Sequence, residues 1–234
     1  MRLLAIETST EACSVAVMVD GEVSERFELA PRRHAELVLP WAGALLSEAG
    51  LRRTDLDAIA VSRGPGAFTG VRLGISIAQG IALALDRPLL PVSTLAVLAL
   101  GGLRGGGELV LAAIDARMGE VYAGAFARDG GGLRALSAET VSAPAAVELP
   151  AGDSWHGTGT GFAAMDGALA EHLGDRLSSV DATALPRAAD LARLGALSLA
   201  AGGAVAPERV EPAYLRDNVA LTLAEQGAAR EARG

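Results

Sequence analysis

Lysine is missing from this chain, and all 20 of its basic residues are arginine. A P-loop needs a lysine on the phosphates, and Schiff-base catalysis needs one as nucleophile, so both are excluded. Cysteine occurs once, at Cys13, which rules out an intrachain disulfide and a multi-cysteine zinc site. Cys13 lies in an alternating, strand-like run and reads as a small buried hydrophobe. The three histidines, His34, His156 and His172, lack the close spacing of a helical zinc motif. His34, opening a helical pattern, reads as a capping or surface residue. There is no Gly-x-Ser-x-Gly elbow; Ser76 follows Gly74 but has no glycine two places later. No apolar run approaches the roughly 18 residues of a membrane span, and Asp86-Arg87 interrupts the most apolar region. Met1 to Ile6 runs straight into Glu7 without the basic and apolar sections of a signal peptide. These absences lead to the expectation of a soluble cytoplasmic protein with no membrane contact.

The formal charge is −8, which disfavours tight RNA binding by this chain alone. Arg32-Arg33 and Arg52-Arg53 read as solvated faces. With 234 residues, 50% of them hydrophobic, and a mean hydropathy of +0.33, the chain can build one large core or two small ones.

The most informative stretch is Val61-Ser62-Arg63-Gly64-Pro65-Gly66-Ala67-Phe68-Thr69-Gly70-Val71-Arg72. An apolar strand-like run, Leu56 to Val61, precedes it, and a helix-like run, Leu73 to Leu85, follows. A glycine turn between a strand and a helix N-terminus can cradle an anion, because backbone N–H groups approach closely there. It can equally be a tight crossover with no ligand. It is a poor dinucleotide fingerprint, since its third glycine comes one residue late and no acidic residue ends the next strand. Glu7-Thr8-Ser9-Thr10 offers hydroxyls to a phosphate, or reads as a polar turn satisfying its own backbone.

The first third reads as three strands joined by hairpins, with Asp20-Gly21 as a turn, followed by alternating helices and strands. Helices are expected over His34 to Ala49, from Gly70 to Leu85, and from a Ser93 or Thr94 cap to Leu100. The stretch Gly101-Gly102-Leu103-Arg104-Gly105-Gly106-Gly107 reads as a hinge. Beyond it, paired strands flank Asp115-Ala116-Arg117-Met118-Gly119-Glu120, Thr140 to Pro150 is loop-rich, and helices are expected over Phe162 to Leu173 and Ala188 to Ala201. The alanine-rich tail beyond Asn218 is expected to fray. This order predicts an α/β protein of mixed sheets flanked by helices, in two related halves. The expected division is a first lobe over 1–104 joined by the helix near 188–203, a second lobe over 105–187, and a C-terminal segment over 204–234.

Four ordered motifs resemble the bacterial TsaB (YeaZ) family. Met1-Arg2-Leu3-Leu4-Ala5-Ile6-Glu7-Thr8-Ser9-Thr10-Glu11-Ala12-Cys13-Ser14-Val15-Ala16 is similar to its opening, and Arg63 to Gly74 to its signature turn. Asp115 to Tyr122 resembles its second-domain hairpin, and Glu211-Pro212-Ala213-Tyr214-Leu215-Arg216 its C-terminal motif. One departure is Glu7, where the family more often carries Asp. The resemblance implies an actin-like ATPase (ASKHA) fold of two ribonuclease H-like lobes. It implies a non-catalytic subunit that takes no cofactor and activates a TsaD-like catalytic chain, with a TsaE-like ATPase joining them. The product is threonylcarbamoyladenosine beside the anticodon of tRNAs reading codons that begin with A, so tRNA is met only through the complex. In the catalytic relative a histidine pair follows the glycine turn and binds metal; Val92 to Leu98 here carries none. The relative's later nucleotide motif is not recognisable around Gly202-Gly203. The older "glycoprotease" name finds no metal pair, triad or reactive cysteine in this chain.

Two helices are expected to form the partner and homodimer surface, through Leu37, Trp41 and Leu45 on one and Val71, Gly74, Ile75 and Ala78 on the other. Gly70, Gly74 and Ala78 recur every four residues, which lets helices approach closely or lets this helix pack on its own sheet. On the first reading, Gly74→Arg or Ile75→Glu weakens association and leaves the chain folded. Thr8, Ser9, Arg63, Gly64, Gly66, Thr69, Gly70, Arg72, Asp115, Arg117 and Glu120 are expected to mark a vestigial nucleotide cleft or a structural motif. The competing class is a nucleotide-binding small-molecule kinase of the actin-like superfamily, with Thr8-Ser9, Gly64–Gly70 and Gly157–Gly161 facing one cleft.

Overall fold

The first three strands, β1 (Arg2–Glu7), β2 (Ala12–Val19) and β3 (Glu22–Leu29), form an antiparallel meander in the computed structural model, which describes residues 1–216. Asp20 and Gly21 both take positive φ at the β2–β3 turn, the twist that a two-residue hairpin requires. α1 (His34–Glu48), β4 (Ala58–Ser62), α2 (Phe68–Leu85), β5 (Leu89–Val92) and α3 (Thr94–Gly102) follow. β4 and β5 join parallel to β1, giving the order β3-β2-β1-β4-β5. α2 stops at Asp86, which is left-handed, and Pro88 follows soon after. Ser93 caps α3, its hydroxyl accepting from the Leu95 and Ala96 N–H groups.

The second half is β6 (Leu109–Arg117), β7 (Glu120–Asp129), β8 (Gly132–Ala135), β9 (Thr140–Ser142), β10 (Trp155–Thr158), α4 (Ala168–Leu173), β11 (Leu177–Asp181) and α5 (Ala188–Ala200). Its sheet runs β11-β10-β6-β7-β8, with β9 also on β7. Apart from β9, that is the plan of the first sheet: three antiparallel strands, then two parallel ones beside the first. The α/β, two-lobed, mixed-sheet class read from the sequence is the class observed.

β1 is buried on both faces, which is why it reads as a continuous apolar run. Leu4, Ile6, Val15 and Val17 face α1 and α2, while Leu3, Ala5, Ala16 and Met18 face α5. α3, in turn, packs Leu95 and Leu98 against Val110, Ala112 and Phe126 of the second sheet. Each half therefore sends its last helix onto the other half's sheet.

Several local expectations are corrected. Gly101 and Gly102 belong to α3, and the chain continues in a 3-10 turn, Leu103–Gly105. A Cβ at Gly102 would press on Thr158 at 2.9 Å, so glycine serves close packing between halves there. The Phe162–Leu173 helix is broken into 3-10 turns followed by the six-residue α4, because Met165, Asp166 and Gly167 all take positive φ. β8, β9 and β11 carried no separate strand signal. α2 has 18 residues and a mean hydropathy of 1.5, apolar enough by length and composition to cross a bilayer, although Arg72 interrupts its apolar run. Its Val71, Ile75, Ala78 and Ala82 face lies in the first core. The tail beyond Asn218 lies outside the described residues.

Candidate functional site

Glu7 ends β1 with its carboxylate fully buried beside β4. The Ser9 N–H donates to Oε1 at 2.7 Å; the Ser9 hydroxyl also donates to Oε1, and the Ser62 hydroxyl to Oε2. Burial raises the Glu7 pKa, and the two hydroxyls and one N–H only partly oppose it. The Thr8 hydroxyl donates to the Gly70 carbonyl at 2.8 Å, and the Ala67 N–H to the Ser9 carbonyl at 2.7 Å. Cβ atoms at Gly66, Gly70 and Gly74 would fall inside the Ser9 carbonyl, the Thr8 carbonyl and the Thr8 hydroxyl respectively. The signature turn is thus closed against the Thr8-Ser9 loop. No volume for a phosphate remains between them, and their hydroxyls already have partners. Of the two readings of these residues, the geometry supports the structural motif.

His34 is buried, contrary to its reading as a surface cap: Nε2 lies 3.0 Å from the Thr10 carbonyl and 3.1 Å from that of Ala12. His156 pairs with Ser179 and His172 with the Val147 carbonyl, so the histidines stay apart. Among the described residues no three His, Cys, Asp or Glu side chains gather as a metal site. Cys13 is buried as expected, and burial pushes its thiol up to about 12, far from a reactive thiolate.

The rest of the candidate set meets at the junction of the halves. In the β6–β7 hairpin, Arg117 donates to Asp115 from its backbone and its guanidinium, both at 2.8 Å. Arg117, Met118 and Gly119 all have positive φ, which turns this loop outward. The C-terminal motif then ties the hairpin to the signature turn. Its Ala213 N–H donates to the Arg63 carbonyl at 2.7 Å, and Arg72 donates to the Tyr214 hydroxyl at 2.6 Å. Arg216 donates to Glu120 and, at 3.3 Å, to the Ala116 carbonyl. Thr69 stands exposed in the first turn of α2, and Gly64 has a φ of 99°. Sequence reasoning named three of these four motifs as sites but missed that the fourth joins two of the others. Their shared family origin was the only available signal.

The three loops assigned to a kinase cleft do not line a common one of the two clefts between the halves. One cleft between the halves, about 470 Å³, is lined by Arg63, Ser93, Phe126, Leu133 and Leu194 among others. The second, about 390 Å³, holds Thr158 together with Arg104, Asp181, Arg187 and Asp190. Neither is lined by Thr8, Ser9, Gly66 or Gly70. In the second cleft Arg104 pairs with Asp190 and Arg187 with Glu25, while Asp181 accepts from the Thr183 N–H and hydroxyl.

The expected interface residues need correction too. Leu45, Val71, Gly74, Ile75 and Ala78 are buried in the first core, and Leu37 and Trp41 are half-buried against it. The five buried residues, covered by their own sheet, offer nothing to a second chain, and Gly74→Arg would collide with Thr8 rather than leave the fold intact. The opposite faces are open. Leu39 on α1 and Leu83 on α2 are exposed, with Leu73 half-exposed beside them. A Cβ at Gly43 or Gly80 would meet nothing within 4 Å.

Comparison with known proteins gives a consistent picture. The family model for tRNA N6-adenosine threonylcarbamoyltransferase matches residues 27–223. The chain is 45% identical to the tRNA threonylcarbamoyladenosine biosynthesis protein TsaB of Escherichia coli, covering 94% of this chain and 96% of that one. It is 38% identical to the Haemophilus influenzae protein of the same name, over 94% and 95%. The solved structure of YeaZ from Pseudomonas aeruginosa superposes with a TM-score of 0.86 at 45% identity, covering 92% of this chain and 99% of that one. The tRNA N6-adenosine threonylcarbamoyltransferase of Chlorobium phaeobacteroides is 36% identical over 108 residues, which is 40% of this chain and 31% of that one.

Proposed function

The chain belongs to the TsaB (YeaZ) family, and on that premise we propose that it acts in tRNA threonylcarbamoyladenosine biosynthesis as a non-catalytic subunit that binds and activates a TsaD-like catalytic chain. The observation that carries the partner role is the outer face of α1 and α2. Leu39, Leu73 and Leu83 stand on it beside two glycines whose missing Cβ atoms point into open space. A glycine inside an exposed helix costs about 1 kcal/mol relative to alanine, and nothing among the described residues requires either one. A second pair of helices packed closely on that face would. The partner of the same fold would present the equivalent helices, and a second copy of this chain would use the same face when the partner is absent. The closed Glu7–Thr8–Ser9 loop supports the non-catalytic part of the reading. A TsaE-like ATPase completes the proposed cytoplasmic assembly, whose tRNAs read codons beginning with A.

The test is reconstitution of threonylcarbamoyl transfer with the catalytic chain and ATPase, with and without this chain. Equal product without it overturns the activator role. Gly80→Arg on the outer face is expected to abolish co-purification with the catalytic chain while circular dichroism stays unchanged. Retained binding moves the interface elsewhere.

A further inference from the structure

The chain has four Phe, two Trp and two Tyr. Only Phe68 and Tyr214, 68% and 59% exposed, stand in solvent; the others are buried or half-buried. These two lie 146 residues apart in sequence yet flank one guanidinium. Arg72 lies 3.2 Å from the centre of the Phe68 ring and 5.3 Å from that of Tyr214. Exposed Arg63 joins the same junction through its carbonyl, held by the Ala213 N–H, and its charge also acts on Glu139. Neither Arg63 nor Arg72 forms an ion pair with a carboxylate among the described residues. A chain of net charge −8 therefore concentrates its solvent-facing aromatics and two unpaired cations at one spot, the junction of signature turn and C-terminal motif.

Aromatic rings bind nucleobases by stacking, which works without an overall positive field, and arginines between them contact the phosphates. We infer that Phe68, Arg72 and Tyr214, with Arg63 beside them, form a contact for unpaired nucleotides of an RNA loop. The inference rests on the proposed role in tRNA modification and adds to it the face this chain turns toward the RNA. Coulomb repulsion from the acidic surface keeps the isolated chain's affinity low, so the contact acts once the catalytic chain holds the tRNA. A protein partner also favours aromatics and arginine. The RNA reading is favoured because Arg72, the charge between the rings, forms no ion pair with a carboxylate among the described residues.

The experiment measures binding of a fluorescent, unmodified anticodon stem-loop to the complex of this chain with its catalytic partner. A fully paired RNA duplex of equal length is the control. Phe68→Ala/Tyr214→Ala is expected to weaken stem-loop binding about tenfold and leave the duplex unchanged, as the loss of base stacking would. Arg63→Gln is expected to lower the salt-dependence slope by about 0.7, the value for one phosphate contact on a single strand. Unchanged affinity in the double variant overturns the inference. So does loss of co-purification with the catalytic chain, which would make the patch a protein interface. If the wild-type chain fails to bind that partner, the proposed role fails first. The inference is then read separately, by photocrosslinking 4-thiouridine RNA to the isolated chain. Crosslinks mapping to the peptides of Phe68 or Tyr214 support it, and crosslinks only elsewhere overturn it.

Discussion

The two halves share one strand plan, but their first hairpins behave in opposite ways. The β1–β2 loop is sealed: Glu7, Thr8 and Ser9 are buried, and the signature glycines sit against their carbonyls. The β6–β7 loop is open, with Arg117 and Met118 in solvent and the backbone turned outward by three consecutive positive φ values. The difference follows from what stands opposite. A long helix, α2, starts beside the first loop and needs glycine to come so close. Its counterpart after β10 is broken 3-10 structure and a short α4, which leaves the second loop uncovered. Duplicated topology therefore does not imply duplicated sites.

Substitutions can break this contrast. The largest effect is expected for Gly70→Ala, whose methyl would overlap the Thr8 carbonyl, a backbone atom that cannot turn aside. A loss of about 3 kcal/mol or more in urea unfolding is expected. The matching change in the open hairpin, Gly119→Ala, meets only the Met165 sulfur at 3.9 Å. It should cost about 1–2 kcal/mol, from the left-handed backbone alone. Equal losses at the two sites would erase the distinction between a sealed and an open loop.

Next comes the buried carboxylate. Desolvation raises the Glu7 pKa above its value in the unfolded chain. The stability linked to it is therefore fully present below the ordinary carboxylate range and falls as pH rises through the raised value. Glu7→Gln should remove that decline, flattening the pH dependence of unfolding free energy from acid toward neutral pH. A variant that tracks the wild type across that range would show that Glu7 does not titrate as described.

A smaller effect is expected from Arg216→Ala, which unties the C-terminal motif from Glu120 on the open hairpin. The pair is partly solvent-screened, so about 0.5–1 kcal/mol is expected by chemical denaturation, with faster hydrogen exchange at Ala116 and Glu120. The smallest change should be a gain. Gly80→Ala on the outer face of α2 is expected to stabilise the isolated chain by about 0.5–1 kcal/mol in thermal unfolding. Together with the loss at Gly70, it would show that glycines on opposite faces of one helix answer to different constraints.

Much of this was legible in the sequence, and the rest has physical reasons for being hidden. Asp20-Gly21 fixed a hairpin because a two-residue loop needs positive φ. The continuous apolar character of Leu3 to Ile6 marked a strand covered on both sides. The spacing of Gly70, Gly74 and Ala78 correctly marked a close approach, yet spacing cannot say whether the approaching surface is another chain or the same one. Here it is Thr8 and the first sheet. Leu37 and Trp41 lie half-buried against the first core, and apolar residues on both faces of α1 and α2 kept the sequence from telling the covered face from the open one. Met165 and Asp166 gave no warning of left-handed backbone, because neither residue type demands it. The meeting of Arg72 with Tyr214 depends on the path of residues 204–216 across the first half. No local pattern encodes such a path.

The crossing of terminal helices between halves also bears on how the protein is made. During synthesis the first sheet emerges early, but the helix that covers its second face, α5, emerges only after the whole second sheet. Until then Leu3, Ala5, Ala16 and Met18 present an uncovered apolar surface to the cell. Domains ordinarily close in the order in which they are translated. The first half must instead wait for α5, which follows the second sheet, before its second face is covered. A ribosome stalled before Ala188 would hold a half-built protein that neither lobe can finish alone.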